Sequence, residues 1–122
     1  MKTTADTGKW GEQVVVEHLR AEGCVIAAQN WRCGRCEIDI IAADRTGCLR
    51  FVEVKTRAVG GWESGEAAIT PSKCRALKRA ASAYMACRGG YDDFRFDLAV
   101  VEYGPDGSFE LRYVKDFIES HW

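Results

Sequence analysis

The residues best suited to chemistry lie in two short apolar segments, each of which carries charged side chains through a predicted β-strand. Asp39 interrupts the segment Glu37–Ile41, whereas Glu53 and Lys55 alternate with valines in the segment Phe51–Lys55. Because successive side chains of a strand point to opposite faces, Glu53 and Lys55 share a face and lie roughly 7 Å apart. If the two strands pair as neighbours, the Asp39 side chain lies beside those of Glu53 and Lys55. Two carboxylates beside one ammonium group are typical of Mg²⁺-dependent phosphodiester hydrolysis.

That chemistry gives each of these side chains a candidate role. Asp39 and Glu53 would supply the hard oxygen ligands that Mg²⁺, or Mn²⁺ in its place, prefers. Lys55 could orient or deprotonate the attacking water or stabilise developing charge, and the sequence leaves these roles open. Glu12, on the predicted inward face of the first helix, could bind a second metal ion or hold a water; the alternative is a glutamate favoured there by the helix dipole. The pattern of an aspartate followed by Glu-x-Lys is short, so a surface salt bridge is the alternative for the other three residues.

Two further basic residues are candidates for nucleic-acid binding. Arg57 follows the strand that carries Glu53, and Lys73 lies at the start of the second predicted helix. Cations and helix N-termini both attract phosphate groups, and exposed solubilising charges are the equal alternative. The segment 67–91 holds five Lys or Arg residues and no acid, although the whole chain has a net charge of -1. This distribution is compatible with a basic face for phosphates beside an acidic one for metal.

Six cysteines raise the question of a zinc or thiol site, since Cys33 and Cys36 have the spacing of a ligand pair. A structural zinc site needs four ligands, and the sequence offers neither a second Cys-x-x-Cys pair nor a pair of neighbouring histidines. A thioredoxin-like motif would follow a strand and open a helix, whereas this one precedes a strand. We therefore expect reduced thiols at a turn, and we keep a zinc or thiol protein as the less favoured alternative.

The predicted elements follow the order αβββαββ and place the candidate residues on strands and helix starts. Apolar periodicity and turn residues predict elements over 7–21, 24–29, 36–43, 49–56, 71–88, 94–102 and 109–113. The first three strands are expected to form an antiparallel meander, and the glycine-containing segment 58–69 a mobile loop beside the third strand. Thr70 and Pro71 mark the N-cap and the first residue of the second helix.

Length and composition predict one domain over residues 1–122. The chain is 47% hydrophobic, and this composition allows one sizeable core. At 122 residues the chain is too short for two ordinary domains. The first residues lack the apolar stretch of a secretory signal, and no apolar run approaches the length of a membrane span. We therefore expect a cytoplasmic protein without a membrane segment.

Several short motifs, taken in order, resemble the YraN-like family of small uncharacterised proteins, which is similar in pattern to archaeal Holliday junction resolvases and the PD-(D/E)xK nuclease superfamily. The resemblance rests on Gly-Lys-Trp-Gly-Glu at 8–12, Asn-Trp-Arg at 30–32, Glu-Ile-Asp-Ile-Ile-Ala at 37–42, Phe-Val-Glu-Val-Lys-Thr-Arg at 51–57, Thr-Pro-Ser-Lys at 70–73 and Arg-Phe-Asp at 95–97. It implies a restriction-endonuclease-like fold, a mixed β-sheet flanked by helices. It also implies metal-binding and catalytic positions at Glu12, Asp39, Glu53 and Lys55.

The resemblance and the residues together predict a Mg²⁺-dependent endonuclease or DNA-processing protein, with branched DNA as the substrate that the resemblance implies. The alternative is a nucleic-acid-binding module of the same fold that does not cut. Cys36 departs from the family pattern, which usually has glycine there, and this side chain could narrow the approach of DNA or fill space. Because nucleases that cut two strands often use one active site per strand, a homodimer is compatible with this function.

Overall fold

The computed structural model describes residues 4–60, 69–89 and 93–118 of the chain. These residues form a five-stranded mixed β-sheet and two helices in the predicted order αβββαββ, which confirms the α/β fold class. The elements are α1 (Thr4–Ala21), β1 (Val25–Cys33), β2 (Cys36–Ala43), β3 (Cys48–Ala58), α2 (Pro71–Arg88), β4 (Asp93–Tyr103) and β5 (Phe109–Val114). Most of the predicted loop 58–69 lies outside the described residues. Neither helix in the described part of the chain is long and apolar enough to span a lipid bilayer.

The sheet has the strand order β1-β2-β3-β4-β5, and its pairs are antiparallel except for β3 and β4. The antiparallel meander predicted for the first three strands is confirmed. A parallel pair needs a crossover connection, which α2 supplies between β3 and β4. The parallel pairing includes every residue of β3 from Cys48 to Ala58. The backbone of this central strand is therefore held along its whole length, and the positions of its side chains are fixed.

The two helices cover opposite faces of the sheet. Val16 of α1 packs in one cluster with Val52, and both side chains are fully buried. Leu77 of α2 packs in a second cluster with Phe51 on the other face. Phe51 and Val52 are consecutive, so alternate side chains of β3 enter the two clusters. Glu53 has the parity of Phe51, and its carboxyl group therefore lies on the side of the sheet that α2 covers.

The first strand is longer than the sequence predicts. The polar residues at its middle suggest an end at Gln29, whereas β1 continues to Cys33. Trp31 pairs with Ile38 of β2, and its ring packs edge-on against Tyr84 of α2 with centroids 5.3 Å apart. The predicted boundary is wrong because polar side chains interrupt the apolar pattern of this edge strand. The backbone nevertheless stays paired with β2, and the partly buried indole of Trp31 packs against α2.

The turn expected at Cys33 and Cys36 is present, and it joins β1 and β2 through two residues. Cys33 and Cys36 lie opposite each other across it, and Gly34 has a φ of 61°. A left-handed residue at the first central position is typical of a type II′ hairpin turn, which favours glycine. All six cysteines are free thiols. Among the described residues, no third His, Cys, Asp or Glu side chain completes a metal-binding group with this pair.

The start of α2 is fixed by the predicted cap. Thr70 Oγ1 accepts a hydrogen bond of 3.1 Å from the backbone N–H of Lys73, and Pro71 is the first helical residue. At the other end the backbone N–H of Gly89 donates to the carbonyl oxygen of Met85 at 2.9 Å. Capping satisfies N–H groups of the first turn that have no partner within the helix. The cap therefore holds Lys73 in the first turn, next to β3.

Gly11 allows α1 to lie directly on β3, and we expect substitution there to be destabilising. A Cβ atom at Gly11 would overlap Thr56 Oγ1 and lie 3.0 Å from Thr56 Cβ, whereas nothing lies within 4 Å of a Cβ atom at Gly8. Gly11→Ala should therefore lower the free energy of unfolding by about 1–3 kcal/mol. Gly8→Ala, the matched control in the same helix, should raise it by about 0.5–1 kcal/mol. Urea unfolding followed by circular dichroism measures both, and a Gly11→Ala variant as stable as wild type would contradict this close approach.

Candidate metal and nucleic-acid site

β2 and β3 stop pairing near one end, and the Asp39 side chain takes the place of a strand partner there. The register of the two strands ends at Ile40 opposite Val52. Beyond this pair, the backbone N–H of Val54 donates a hydrogen bond of 2.8 Å to Asp39 Oδ2. The main chain of β3 therefore holds the Asp39 carboxyl group beside Glu53, the residue that precedes Val54. The structure thus brings together the two carboxylates that the strand pattern singles out.

Asp39 and Glu53, which we call the carboxylate pair, are largely removed from water. Glu53 is 4% exposed, and its Oε2 atom lies 3.7 Å from Lys73 Nζ. That oxygen is buried and has no hydrogen-bond partner within the described part of the chain. Burial raises the pKa of Glu53 to about 7, and the charge of Asp39 adds to the shift, whereas Lys73 and Lys55 oppose it. Burial also raises the pKa of Asp39, against the hydrogen bond from Val54. Two acids that share a desolvated site resist being ionised together.

Glu12 approaches the carboxylate pair from α1 without joining it. Asn30, which has a left-handed φ of 50° in β1, donates a hydrogen bond of 3.1 Å from Nδ2 to Glu12 Oε1. Burial raises the pKa of Glu12, the hydrogen bond from Asn30 opposes the shift, and the charges of Asp39 and Glu37 add to it. Within residues 4–60, 69–89 and 93–118, no three His, Cys, Asp or Glu side chains are grouped closely enough to hold a metal ion. Glu12 therefore lies near the pair and is held there by Asn30.

The three basic candidates occupy different positions. Lys73 contacts the carboxylate pair through Glu53, and the charge of Lys55 also acts on that acid. Arg57 instead forms an ion pair with Glu102 of β4, at 3.0 Å between Nη2 and Oε2. Its Nε and Nη1 atoms are buried and have no hydrogen-bond partner among the described residues. The structure therefore brings Lys73 and Lys55 to the pair, whereas Arg57 is held against the neighbouring strand.

A cavity of about 320 Å³ lies at the start of α2. It is lined by Arg35, Cys36, Glu37, Thr70, Ser72, Lys73, Ala76 and Leu77. One of its lining residues is Lys73, which also contacts Glu53 of the carboxylate pair. Arg35 and Lys73 supply two cations beside a helix N-terminus, a setting that favours phosphate. Sequence reasoning missed Arg35, because nothing in the turn sequence indicates that the hairpin end faces α2. Cys36 is part of the cavity wall.

Asp97 lies in β4 opposite Val52, on the face that α1 covers, and is a structural acid. Its side chain is fully buried. It accepts hydrogen bonds from Arg95 Nε at 3.0 and 3.1 Å, from the Tyr113 hydroxyl at 2.6 Å and from the Asp116 backbone N–H at 3.1 Å. A buried carboxylate satisfied in this way stabilises its surroundings and is not available to a ligand. The hydrogen bonds therefore give Asp97 a structural role.

The raised pKa of Glu53 predicts a stability that depends on pH. Its folded-state pKa of about 7 exceeds the ordinary value of 4.5, so the folded protein binds the proton more tightly than the unfolded chain does. The stabilisation from the protonated acid is complete below about 4.5 and is lost as pH rises to about 7. Glu53→Gln, which mimics the protonated acid, should be more stable than wild type at pH 8 by on the order of 2–3 kcal/mol and equally stable near pH 4. Urea unfolding in EDTA at both pH values measures this difference; the same gain at both would show that charge is not its cause.

The amino-acid sequence of the chain matches a family of related proteins. The model of the uncharacterised protein family UPF0102 matches residues 11–101. A UPF0102 protein of Mycolicibacterium smegmatis is 46% identical over 90 residues, which cover 73% of each chain. A UPF0102 protein of Thermosynechococcus vestitus is 42% identical over 109 residues, which cover 87% of each chain. Among solved structures, Pyrococcus furiosus SfsA in complex with Ca²⁺ matches with a TM-score of 0.40 and 16% identity, over 92% of this chain and 63% of that one.

Proposed function

Since the chain belongs to the uncharacterised protein family UPF0102, in agreement with the YraN-like resemblance of its motifs, we propose from its site that this protein is a divalent-metal-dependent nuclease that cuts DNA. The observation that supports this most strongly is the carboxylate pair, in which Glu53 Oε2 is buried without a hydrogen-bond partner among the described residues. Two ionised acids in such a position repel each other. A small divalent cation held by both carboxylates would remove that repulsion and would use the oxygen that lacks a hydrogen-bond partner.

The residues of the pair fit Mg²⁺ or Mn²⁺. Asp39 and Glu53 would hold the ion, and two carboxylates with several waters are a common protein contribution to a Mg²⁺ site. When bound, the cation would stabilise charge on the phosphoryl oxygens and lower the pKa of a water molecule.

The basic side chains have complementary roles in this proposal. Lys55 lies two residues beyond Glu53 on the same face of β3, where its ammonium group would orient the attacking water or stabilise charge on the phosphate. Without a bound metal ion, the Lys73 ammonium group neutralises Glu53. When a metal ion binds Glu53, that ammonium group would contact the phosphate instead. Arg35 lines the adjoining cavity and would hold a neighbouring phosphate of the same strand. Glu12, fixed by Asn30, would hold a water molecule at the margin of the pair.

A second candidate function is supported by the contact between Lys73 and Glu53. At 3.7 Å this ion pair neutralises the acid without any metal ion. In that case Arg35 and Lys73 would bind the phosphates of a nucleic acid that the protein holds but does not cut. Phosphate binding through a few cations weakens steeply as salt rises, because counterions are released on binding.

The two functions are separated by incubating the full chain with linear, flapped and four-way-junction DNA in Mg²⁺, Mn²⁺ or EDTA. The nuclease proposal predicts cleavage in Mg²⁺ or Mn²⁺ and none in EDTA. Salt-sensitive binding without cleavage in every metal would favour the binding module. Matched RNA substrates test the choice of DNA, and a protein that neither binds nor cuts any of these molecules would contradict both functions.

We include a homodimer in the nuclease proposal, because nucleases that cut both strands of a DNA molecule often use one active site for each strand. Sedimentation of the protein alone and with junction DNA measures the number of copies. A single copy bound per junction, with only one strand cut, would contradict the dimer and leave the proposed chemistry in place.

A further inference from the structure

The turn between β1 and β2 places two cysteines directly opposite each other. Cys33 is the last residue of β1 and Cys36 is the first residue of β2, and the two are partners in the strand register. Opposite residues of antiparallel strands have Cα atoms roughly 4.5–5.5 Å apart. Disulfide bonds join residues whose Cα atoms are roughly 4.4–6.8 Å apart. The backbone of this hairpin therefore has the spacing that a bond between the two sulfur atoms needs.

Both cysteine side chains lie on the same face of the sheet. Cys33 and Cys36 pack against the cluster that contains Phe51 and Leu77, on the side that α2 covers. Opposite residues of an antiparallel pair point to one face, so the strand register and the packing agree. Each of the two cysteines is half-buried. A small reagent in solution therefore has access to the pair.

The remaining cysteines are placed differently. Cys24, Cys48 and Cys74 are buried, whereas Cys87 is exposed near the end of α2. Among the described strand residues, the register places no other two cysteines opposite each other. Cys87 therefore offers a matched control, because it is an accessible thiol outside the hairpin.

A cation lies beside one sulfur atom of the hairpin pair. Arg79 Nη2, in α2, is 4.0 Å from Cys36 Sγ. In thiol–disulfide exchange the attacking sulfur is an anion, and a neighbouring positive charge stabilises it. The position of Arg79 therefore favours Cys36 as the sulfur that attacks first and leaves Cys33 to complete the exchange.

We propose that Cys33 and Cys36 form a reversible dithiol–disulfide site that reacts with low-molecular-weight disulfides. The Cys36 thiolate attacks one sulfur of the small disulfide, which forms a mixed disulfide and releases one small thiol. The Cys33 thiolate then attacks the Cys36 sulfur, which closes the protein disulfide and releases the second small thiol. The protein loses two electrons and two protons, and the small disulfide gains them as two thiols. The closed ring includes Arg35, one of the two cations of the cavity at the start of α2.

The test equilibrates the full chain with reduced and oxidised glutathione, stops the exchange with acid and maps the products by mass spectrometry. Trypsin cuts after Arg35, so a bond between Cys33 and Cys36 joins two peptides and removes the mass of two hydrogen atoms. We expect this product in the wild-type protein, and dithiothreitol should restore both thiols. Cys33→Ser should stop at the mixed disulfide, with one glutathionyl group on Cys36. Cys87→Ser should form the same internal bond as wild type.

A second measurement compares the folded protein with the same chain unfolded in urea, which keeps the sequence but removes the strand register. The equilibrium constant for closing the bond should be larger in the folded protein, on the order of 10-fold, because a disulfide that fits the native structure restricts mainly the unfolded chain. An equal or smaller constant would overturn the site. Wild-type protein that keeps both thiols, retains glutathione on Cys36, or joins either residue to another cysteine would also overturn it. The site does not depend on the proposed nuclease, which these results leave in place.

Discussion

Cleavage of DNA in the presence of Mg²⁺ is expected to fall at least about 10²-fold when Glu53 is replaced by glutamine. Glu53 Oε2, which has no hydrogen-bond partner among the described residues, is an oxygen that a cation would use. Glutamine keeps the size of the side chain and supplies one oxygen, but it carries no charge and binds a divalent ion weakly. Asp39→Asn should have a similar effect, because its amide oxygen can still accept the hydrogen bond from Val54 while the charge is lost.

The matched control for this loss is Glu17→Gln, which removes an exposed acid from α1. It should cut DNA at the wild-type rate. Initial rates on a flapped substrate, measured with circular dichroism spectra of each variant, separate loss of catalysis from loss of folding. Undiminished cleavage by Glu53→Gln would remove Glu53 from the active site and would point to another source of the activity.

Loss of the Asp97 side chain is expected to lower the free energy of unfolding by about 3–5 kcal/mol, without direct effect on the carboxylate pair. Asp97→Ala would leave Arg95, whose side chain is 19% exposed, without its ion-pair partner. It would also remove the acceptor of the Tyr113 hydroxyl and of the Asp116 N–H. Removing one member of a buried, hydrogen-bonded pair costs more than the pair contributes, because the other charge stays buried and unpaired.

A graded comparison makes this second prediction specific. Tyr113→Phe removes one of the donors to Asp97 and should cost about 1–3 kcal/mol, less than Asp97→Ala. Urea unfolding of both variants gives the two free energies. If Asp97→Ala changed stability by less than the tyrosine variant and abolished cleavage, Asp97 would belong to the active site and the structural role assigned to it would be wrong.

The carboxylate pair is the part of the site that the sequence predicts best. Its two residues lie on adjacent strands joined by a short turn, so strand alternation and antiparallel pairing are enough to bring Asp39 near Glu53. The start of α2 is equally predictable, since Thr70 and Pro71 are local signals whose meaning does not depend on the rest of the fold. Local chemistry therefore predicts these features without knowledge of the tertiary structure.

Other parts of the site depend on tertiary contacts that have no local signal. The contact between Lys73 and Glu53 exists because the crossover places the first turn of α2 over β3. The hydrogen bond from Asn30 to Glu12 depends on a left-handed residue inside a strand, which the sequence does not indicate. Trp10 lies in α1, and only the positions of β4 and β5 show that its ring packs against Tyr103 and Phe109. Helical periodicity identifies a face but not its partner.

The most direct test of the proposed site is calorimetric titration of the protein with Mn²⁺ or Mg²⁺ at pH 7, in two buffers with different ionisation enthalpies. Since the pKa of Glu53 is about 7, we expect saturable binding that releases about half a proton per ion. Glu53→Gln should bind at least about 10-fold more weakly and release no proton from this position. Absence of saturable binding by the wild-type protein, or equal binding by Glu53→Gln, would contradict the claim that Asp39 and Glu53 form a metal site.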